Sequence, residues 1–184
     1  MIKSIYETAR LQLHLSTPDL SQSITDYFIR NKEFLANTES LHDTNFYTNA
    51  FQKSQLLKDQ FCCVTLTSVK FWLSPKNSDL IIGMFALNNI VKGAFESCYL
   101  SYRLDKDYLN KGFMTEALSI SIKIAFQSLH LHRIEANIMP KNKPSLKVVE
   151  KLNFQNEGLS KKYLKINGQW EDHIHMVLLN ETIF

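Results

Sequence analysis

The chain has 184 residues, 45% of them apolar, with 21 basic and 18 acidic side chains and a formal net charge of +3. That length supports one well-cored domain over residues 1–184 and is short for two. The basic excess is spread without a block of like charges, so neither a nucleic-acid nor a membrane-binding field is indicated, and at most an anionic ligand is favoured. Cys62, Cys63 and Cys98 form neither a CxxC pair nor an even framework, which predicts buried free thiols in a reducing cytosol. The opening "MIKSIYETARLQLHL" has no uninterrupted apolar core of the signal-peptide kind, and no run approaches the roughly eighteen apolar residues of a membrane span. A soluble cytoplasmic protein is expected.

In chain order, Leu11, Leu13 and Leu15 alternate with Arg10, Gln12 and His14, the period of a half-buried strand. "STPDLSQSITDYFIRNKEFL" then supplies capping hydroxyls, an early proline, a first-turn acid and apolar residues at Leu20, Ile24, Tyr27 and Phe28, which predicts a helix. "NFYTNAFQKSQLLKDQF" predicts a second. "CCVTLTSVKFWLS" and "DLIIGMFALNNIV", separated by the turn-forming "PKNS", read as a hairpin, and "ESCYLSYRLD" as a third strand beside it. The polar turn "YLNKGF" leads into the helix "TEALSISIKIAFQSL", whose Ala117, Ile120, Ile124 and Leu129 face a core. "HRIEANIM" is a further strand, "KPSLKVVEKL" a further helix, and "NFQNEGLSKKYLKINGQWEDHIHMVLL" a closing hairpin turned at "NGQ". The order β-α-α-β-β-β-α-β-α-β-β implies a central mixed sheet covered by helices, an α/β or α+β fold.

Familiar sites are excluded first. The sequence contains no GxGxxG, GxxxxGK[ST], GxSxG, HExxH or CxxC, so dinucleotide, P-loop, serine-hydrolase and thiolate-zinc chemistry lack a handle. His130 with His132 and His173 with His175 form two H-x-H pairs, which on a strand share a face; without a third ligand in register they predict no metal site. Gly112 is different. Placed just where a helix starts, it allows an anion to approach the unsatisfied amides and partial positive charge of that helix.

The ordered set "YLSYRLD", "KDYLNKGFMTEAL", "HRIEANIMP" and "KNKPSLKVVEKLNFQNEG" resembles the GNAT acyltransferases, in particular the ribosomal-protein N-terminal alanine and serine acetyltransferase branch. "NKEFLANTES", "IIGMFALNNIVKGAFESCYLSYRL" and "KKYLKINGQWEDHIHMVL" extend the resemblance over most of the chain. It implies the GNAT fold: a central mixed, mostly antiparallel sheet flanked by helices, with the strand holding Leu104 splayed from the strand holding Asn137. It implies acetyl-CoA as co-substrate, no metal, and transfer of the acetyl group to a primary amine by direct attack in a ternary complex. The acceptor is then a protein N-terminus or, alternatively, a small amine such as a polyamine, amino acid or aminoglycoside. A catalytically silent CoA-binding module is the third reading, and the chain acts alone or as a homodimer.

By the same resemblance, the motif [Q/R]-x-x-G-x-[G/A] falls on Leu109-Asn110-Lys111-Gly112-Phe113-Met114. The family grips pyrophosphate there with backbone amides, so Asn110, Lys111, Gly112, Phe113, Met114 and Thr115 are expected to bind the cofactor. Leu104 and Asn137 would flank the pantetheine arm, and Asn142 would bond it or position Ser145. Leu109 departs from the family's Gln/Arg. The tyrosine that many members place seven residues after the asparagine is Val149 here. Ser145 is therefore the expected donor to the leaving thiolate, and Glu157 the expected acid near the incoming amine, whose ordinary pKa near 8 leaves it partly neutral at pH 7. Glu116 suits the first turn of its helix by charge, Lys111 is within reach of a phosphate, and Tyr102 and Tyr163 are expected as acceptor-cleft walls or core.

Overall fold

In the computed structural model, which describes residues 2–36 and 42–181, eight strands form one sheet in the order β1-β2-β3-β4-β5-β6-β8-β7. Residues 37–40, part of the "NKEFLANTES" segment, lie outside the described residues. The strands are β1 (Ile5–Glu7), β2 (Leu11–Leu15), β3 (Val69–Pro75), β4 (Gly83–Val91), β5 (Ser97–Leu104), β6 (Arg133–Ile138), β7 (Gln155–Ile166) and β8 (Gln169–Leu179). The helices are α1 (Ser21–Leu35), α2 (Asn49–Val64), α3 (Phe113–Lys123) and α4 (Lys143–Glu150). Every neighbouring pair is antiparallel except β5 and β6.

That parallel pair is short. β5 and β6 are in register only from Ser97 opposite Arg133 to Tyr99 opposite Glu135, and from there to Leu104 and Ile138 the two strands have no ladder between them. The splay expected between Leu104 and Asn137 is present, with Tyr99 and Glu135 at its fork.

Alternation separates the two faces of this sheet. Leu100 on β5 and Ile134, Ala136 and Ile138 on β6 join the main core, which also holds Met114, Ala117 and Leu118 of α3 and Leu146 and Val149 of α4. On the opposite face, Ile24, Tyr27 and Phe28 of α1 and Leu56 of α2 pack on Trp72, Met84 and Ala86 in a second cluster. α3 and α4 thus cover one face, and α1 and α2 cover the β3–β4 part of the other.

Some boundaries differ from expectation. Ile5–Glu7 adds an edge strand against β2. Cys62 to Val64 continue α2 rather than opening a strand, and Cys62 and Cys63 are half-exposed, while Cys98 is buried as expected. An apolar run of this length suits helix and strand equally, and here the Thr48 hydroxyl caps the helix by accepting from Phe51 N. β4 begins only at Gly83: the Ile81 carbonyl is taken by Arg30 Nη2 at 2.7 Å, while Ile82 N still donates to the Leu73 carbonyl at 2.8 Å and the Ile82 carbonyl accepts from Asp105 N at 2.7 Å. The last helical turn before β6 widens into a π-helix over Ile124–Ser128. The β7–β8 hairpin turns at Asn167-Gly168, both with positive φ, closing Ile166 onto Gln169.

A candidate acetyl-CoA site at the splay

The start of α3 is built for an anion. Leu109 is extended, Asn110 takes φ 59° and Gly112, the N-cap, takes φ 78°, so the chain reverses and presents the first-turn amides outward. Those amides have no acceptor inside a helix, and the helix dipole adds partial positive charge. A Cβ added to Gly112 would meet only Arg10 Nη2, at 3.5 Å. A side chain here would thus lean on the Arg10 guanidinium, and the positive φ favours glycine.

Arg10 braces the loop from β2. Its Nε donates to Glu116 Oε2 at 2.7 Å, its backbone N to Glu116 Oε1 at 2.8 Å, and Nη1 to the Lys111 carbonyl at 2.9 Å. The guanidinium also lies 4.3 Å from the Phe113 ring centroid. Burial works against the charge on Glu116, but hydrogen bonds from Thr8 and Arg10 outweigh it and hold the carboxyl below the usual range. Sequence reasoning placed Glu116 at the helix end and missed Arg10, whose partners lie 101 and 106 residues away.

From this loop a cavity of about 470 Å³ runs to α4. Asn110, Gly112, Phe113, Met114 and Thr115 form its α3 side. Leu104 lines it from β5, and Asn142 and Ser145 from α4. Leu109 lines it as well, offering an apolar wall where the family motif has a polar side chain. Lys147 and Lys151, a turn apart on α4, and Arg103 add positive charge that the sequence reading did not assign to this site. Spacing of four along an amphipathic helix was the available signal.

Asn142 caps α4: its Oδ1 accepts from Ser145 N at 3.3 Å. Tyr102 donates its hydroxyl to the Ser145 carbonyl at 2.9 Å, and burial pushes its phenol above the ordinary range. It thus faces α4 rather than an acceptor cleft. Ser145 lines the cavity, and its side chain also lies within hydrogen-bonding reach of Tyr102.

Three predicted residues lie elsewhere. Lys111 folds back, with Nζ 2.8 Å from the Asp107 carbonyl and 5.4 Å from the Tyr108 ring centroid, outside the cavity lining. Asn137 sits on the opposite face of β6, where Nδ2 donates to Tyr163 Oη at 3.4 Å and Oδ1 is buried without a partner. Glu157 lines a different cavity and is bound to Arg133 through both oxygens, at 3.0 and 2.7 Å. Arg133 holds its carboxyl below the usual range, which makes Glu157 a weak proton acceptor.

The face of the sheet opposite α3 and α4 carries its own polar cluster. Arg133 also reaches Glu135 at 2.9 Å, and Glu135 Oε1 is 2.7 Å from His175 Nδ1. Tyr163 packs between His173 and His175, its ring centroid 5.8 and 5.0 Å from theirs. Irregular register between Ser160 and Leu164 on β7 turns Tyr163 toward them. On the same face, between α1, α2 and β4, Phe28, Phe46 and Trp72 line a cavity of about 540 Å³ that reaches Arg103 and Ile166. His130 and His132 precede β6 rather than sharing a strand. Among the described residues, no group of three or more His, Cys, Asp or Glu is placed to hold a metal ion, and no helix is long and apolar enough to cross a membrane.

A splayed parallel pair, a helix start with open first-turn amides and a cavity lined by the free end of β5 are the features of an acyltransferase fold. Residues 11–155 match the Acetyltransferase (GNAT) domain family model, and the chain belongs to the GNAT N-acetyltransferases. It is 36% identical over 150 residues to a Bacillus subtilis protein named probable N-acetyltransferase YjcK, covering 82% of this chain and 83% of that one. It is 34% identical over 168 residues to the Escherichia coli [ribosomal protein uS5]-alanine N-acetyltransferase, covering 91% and 86%. The crystal structure of ribosomal-protein-S5-alanine acetyltransferase from Vibrio fischeri superposes with a TM-score of 0.93 at 34% identity, covering 98% of each chain.

Proposed function

We propose that this chain transfers the acetyl group of acetyl-CoA to the N-terminal α-amine of a protein, a ribosomal protein being the best-supported acceptor. The observation that carries the reading is the pairing of two faces at one fork. The cavity against α3 and α4 is closed by Phe34 and Leu35 of α1, the polar cluster and aromatic cleft lie on the other face of the sheet, and both cavities reach Arg103 on the part of β5 that has separated from β6. An amine arriving from the second face would meet a thioester lying in the gap. Similarity over nearly the full length to S5-alanine acetyltransferases supports the acceptor.

In this reading the amides of Phe113, Met114 and Thr115 hold the pyrophosphate, and Lys147 and Lys151 supply further charge. Ser145, which lines the cavity beside Tyr102, donates to the departing thiolate. Asn142 fixes Ser145 by capping α4, and Glu157 holds Arg133 in place. Acetyl-CoA supplies the activated acyl group; the chain aligns it and withholds competing water.

The test is thiol release from acetyl-CoA with a peptide beginning in Ala, beside one beginning in Ser, spermidine and an aminoglycoside. Turnover on the Ala peptide, abolished by prior N-terminal acetylation, is expected. Turnover confined to spermidine or the aminoglycoside would overturn the protein acceptor. Thermal stabilisation by acetyl-CoA without turnover on any amine would leave a binding module.

A further inference from the structure

We propose that Ser160 and His175, held by Glu135, form the route by which the acceptor ammonium loses its proton. The inference rests on the acetyltransferase reading and names the proton acceptor for it. Ser160 Oγ lies 2.7 Å from His175 Nε2, and His175 Nδ1 lies 2.7 Å from Glu135 Oε1. A carboxylate can only accept, so Nδ1 carries the hydrogen and Nε2 of the neutral ring is left to accept from the serine hydroxyl. This is the base, orienter and hydroxyl order that activates a hydroxyl or relays a proton elsewhere.

Position gives the chain of groups its purpose. Glu135 is the last β6 residue paired with β5, so the relay stands at the apex of the fork, on the face away from the cofactor cavity. Five residues of β5 separate that apex from Leu104 at the cavity mouth, about 17 Å at the rise of a strand. An extended arm entering at the α3 loop runs along this length toward the relay. The side chains of His175 and Glu135 keep 20% and 14% of their exposure, enough for solvent to remove the proton afterwards.

Other polar and charged groups surround the ring. They are Tyr99 from β5, Arg133 from β6, Glu157 and Tyr163 from β7, and His173 from β8, with Glu171 further along β8 tied to Lys141 at 2.5 Å. Burial opposes the charge of Glu135, but bonds from His175 and Arg133 outweigh it and keep the carboxyl below its usual range. Glu135 is thus a positioning residue that stays ionised, as does Glu157, and the ring nitrogen facing Ser160 is the atom left to accept the proton.

Ser160 Oγ accepts one ammonium proton while its own hydroxyl proton passes to His175 Nε2, and Glu135 holds the resulting imidazolium. The freed amine forms its bond to the acetyl carbonyl carbon as the carbon–sulfur bond breaks. The second nitrogen proton leaves with the thiolate, and the imidazolium returns the first to solvent.

The experiment compares pH profiles of thiol release by the full chain and its variants with the Ala peptide. His175→Gln and Ser160→Ala are expected to lose at least about tenfold in rate at pH 7, one unit below the ordinary amine value near 8, with the deficit closing by pH 9.5 where the amine is free without help. The KM for acetyl-CoA and the thermal shift it produces should stay as in the parent, which also reports that each variant folds. Equal rates at pH 7, or a deficit constant across pH, would overturn the relay. So would a pH-dependent deficit appearing in Glu157→Gln and not in His175→Gln. An inactive parent chain on every amine overturns the acetyltransferase reading itself, which a parent active beside an unaltered His175→Gln does not.

Discussion

Arg10 and Glu116 stand 106 residues apart and are joined twice, once through the arginine's backbone N–H and once through its Nε. A third bond, from Nη1 to the Lys111 carbonyl, makes the arginine a fork that fixes both sides of the anion loop at once. The family motif places a Gln or Arg at the position of Leu109, and Arg10 reaches the same loop from β2.

Arg10→Ala should therefore weaken CoA binding more than it lowers stability. The side chain is 46% exposed, so solvent screens the pair and a loss of about 1 kcal/mol, roughly fivefold in Kd, is expected. Arg10→Lys should not restore affinity, since an ammonium cannot bond Glu116 and the Lys111 carbonyl in one plane. Isothermal titration with CoA checks both, and undiminished affinity in Arg10→Ala would remove the brace.

Gly112→Val tests the loop directly. At φ 78° a β-branched residue is strained, costing about 1–2 kcal/mol, and its methyls would press on the Arg10 guanidinium that braces the loop. CoA affinity should fall by more than tenfold while the melting temperature falls by only a few degrees. Unchanged calorimetric binding of CoA would refute the anion-loop reading.

Local signals made much of this legible before the structure. Gly112, Asn142 and the Asn167-Gly168 turn each announce a backbone need within a few residues, and the strands beside them follow from alternation. The three residues of β1 carry too short a pattern to read. Cys62 to Val64 were misread because β-branched and apolar residues fit a helix end as well as a strand. Distance in sequence hid the rest: His175 meets Glu135 across 40 residues and Ser160 across 15, and only the β6–β8–β7 register brings them together. Glu157 was legible as an acid near the acceptor face, but its capture by Arg133 was not.

Asp105 gives a prediction about acid stability. Its side chain is fully buried at the end of β5, accepting from Arg30 Nε at 2.8 Å, Asn31 Nδ2 at 2.9 Å and Asp107 N at 3.0 Å. Burial raises its pKa, yet these bonds outweigh it and leave the carboxyl below the ordinary value. A depressed acid contributes stability that is present above its unfolded pKa, about 3.9, and lost as pH falls through the lower folded value. Asp105→Asn should cost about 3 kcal/mol at pH 7, the low end for a broken buried pair because Arg30 is 30% exposed. The gap between parent and variant should narrow below pH 4, as followed by urea denaturation. A gap that does not change with pH would show that shape, and not charge, carries the contribution.

Ser145 separates chemistry from binding. Its backbone N–H is capped by Asn142 and its carbonyl is held by Tyr102, so the residue is fixed by main-chain contacts that Ser145→Ala keeps. Only the hydroxyl is removed. If that hydroxyl meets the departing thiolate, kcat should fall by about ten- to a hundredfold, the loss of one charge-assisted hydrogen bond of roughly 1.5–3 kcal/mol. The KM for acetyl-CoA should stay within about twofold, because the bond forms only as charge develops on sulfur. Asn142→Ala should behave differently: loss of the cap loosens α4 by about 1 kcal/mol, which lowers stability and raises KM by moving Lys147 and Lys151 as well. Equal turnover in Ser145→Ala and the parent would take the hydroxyl out of the reaction and leave Asn142 with a purely architectural part.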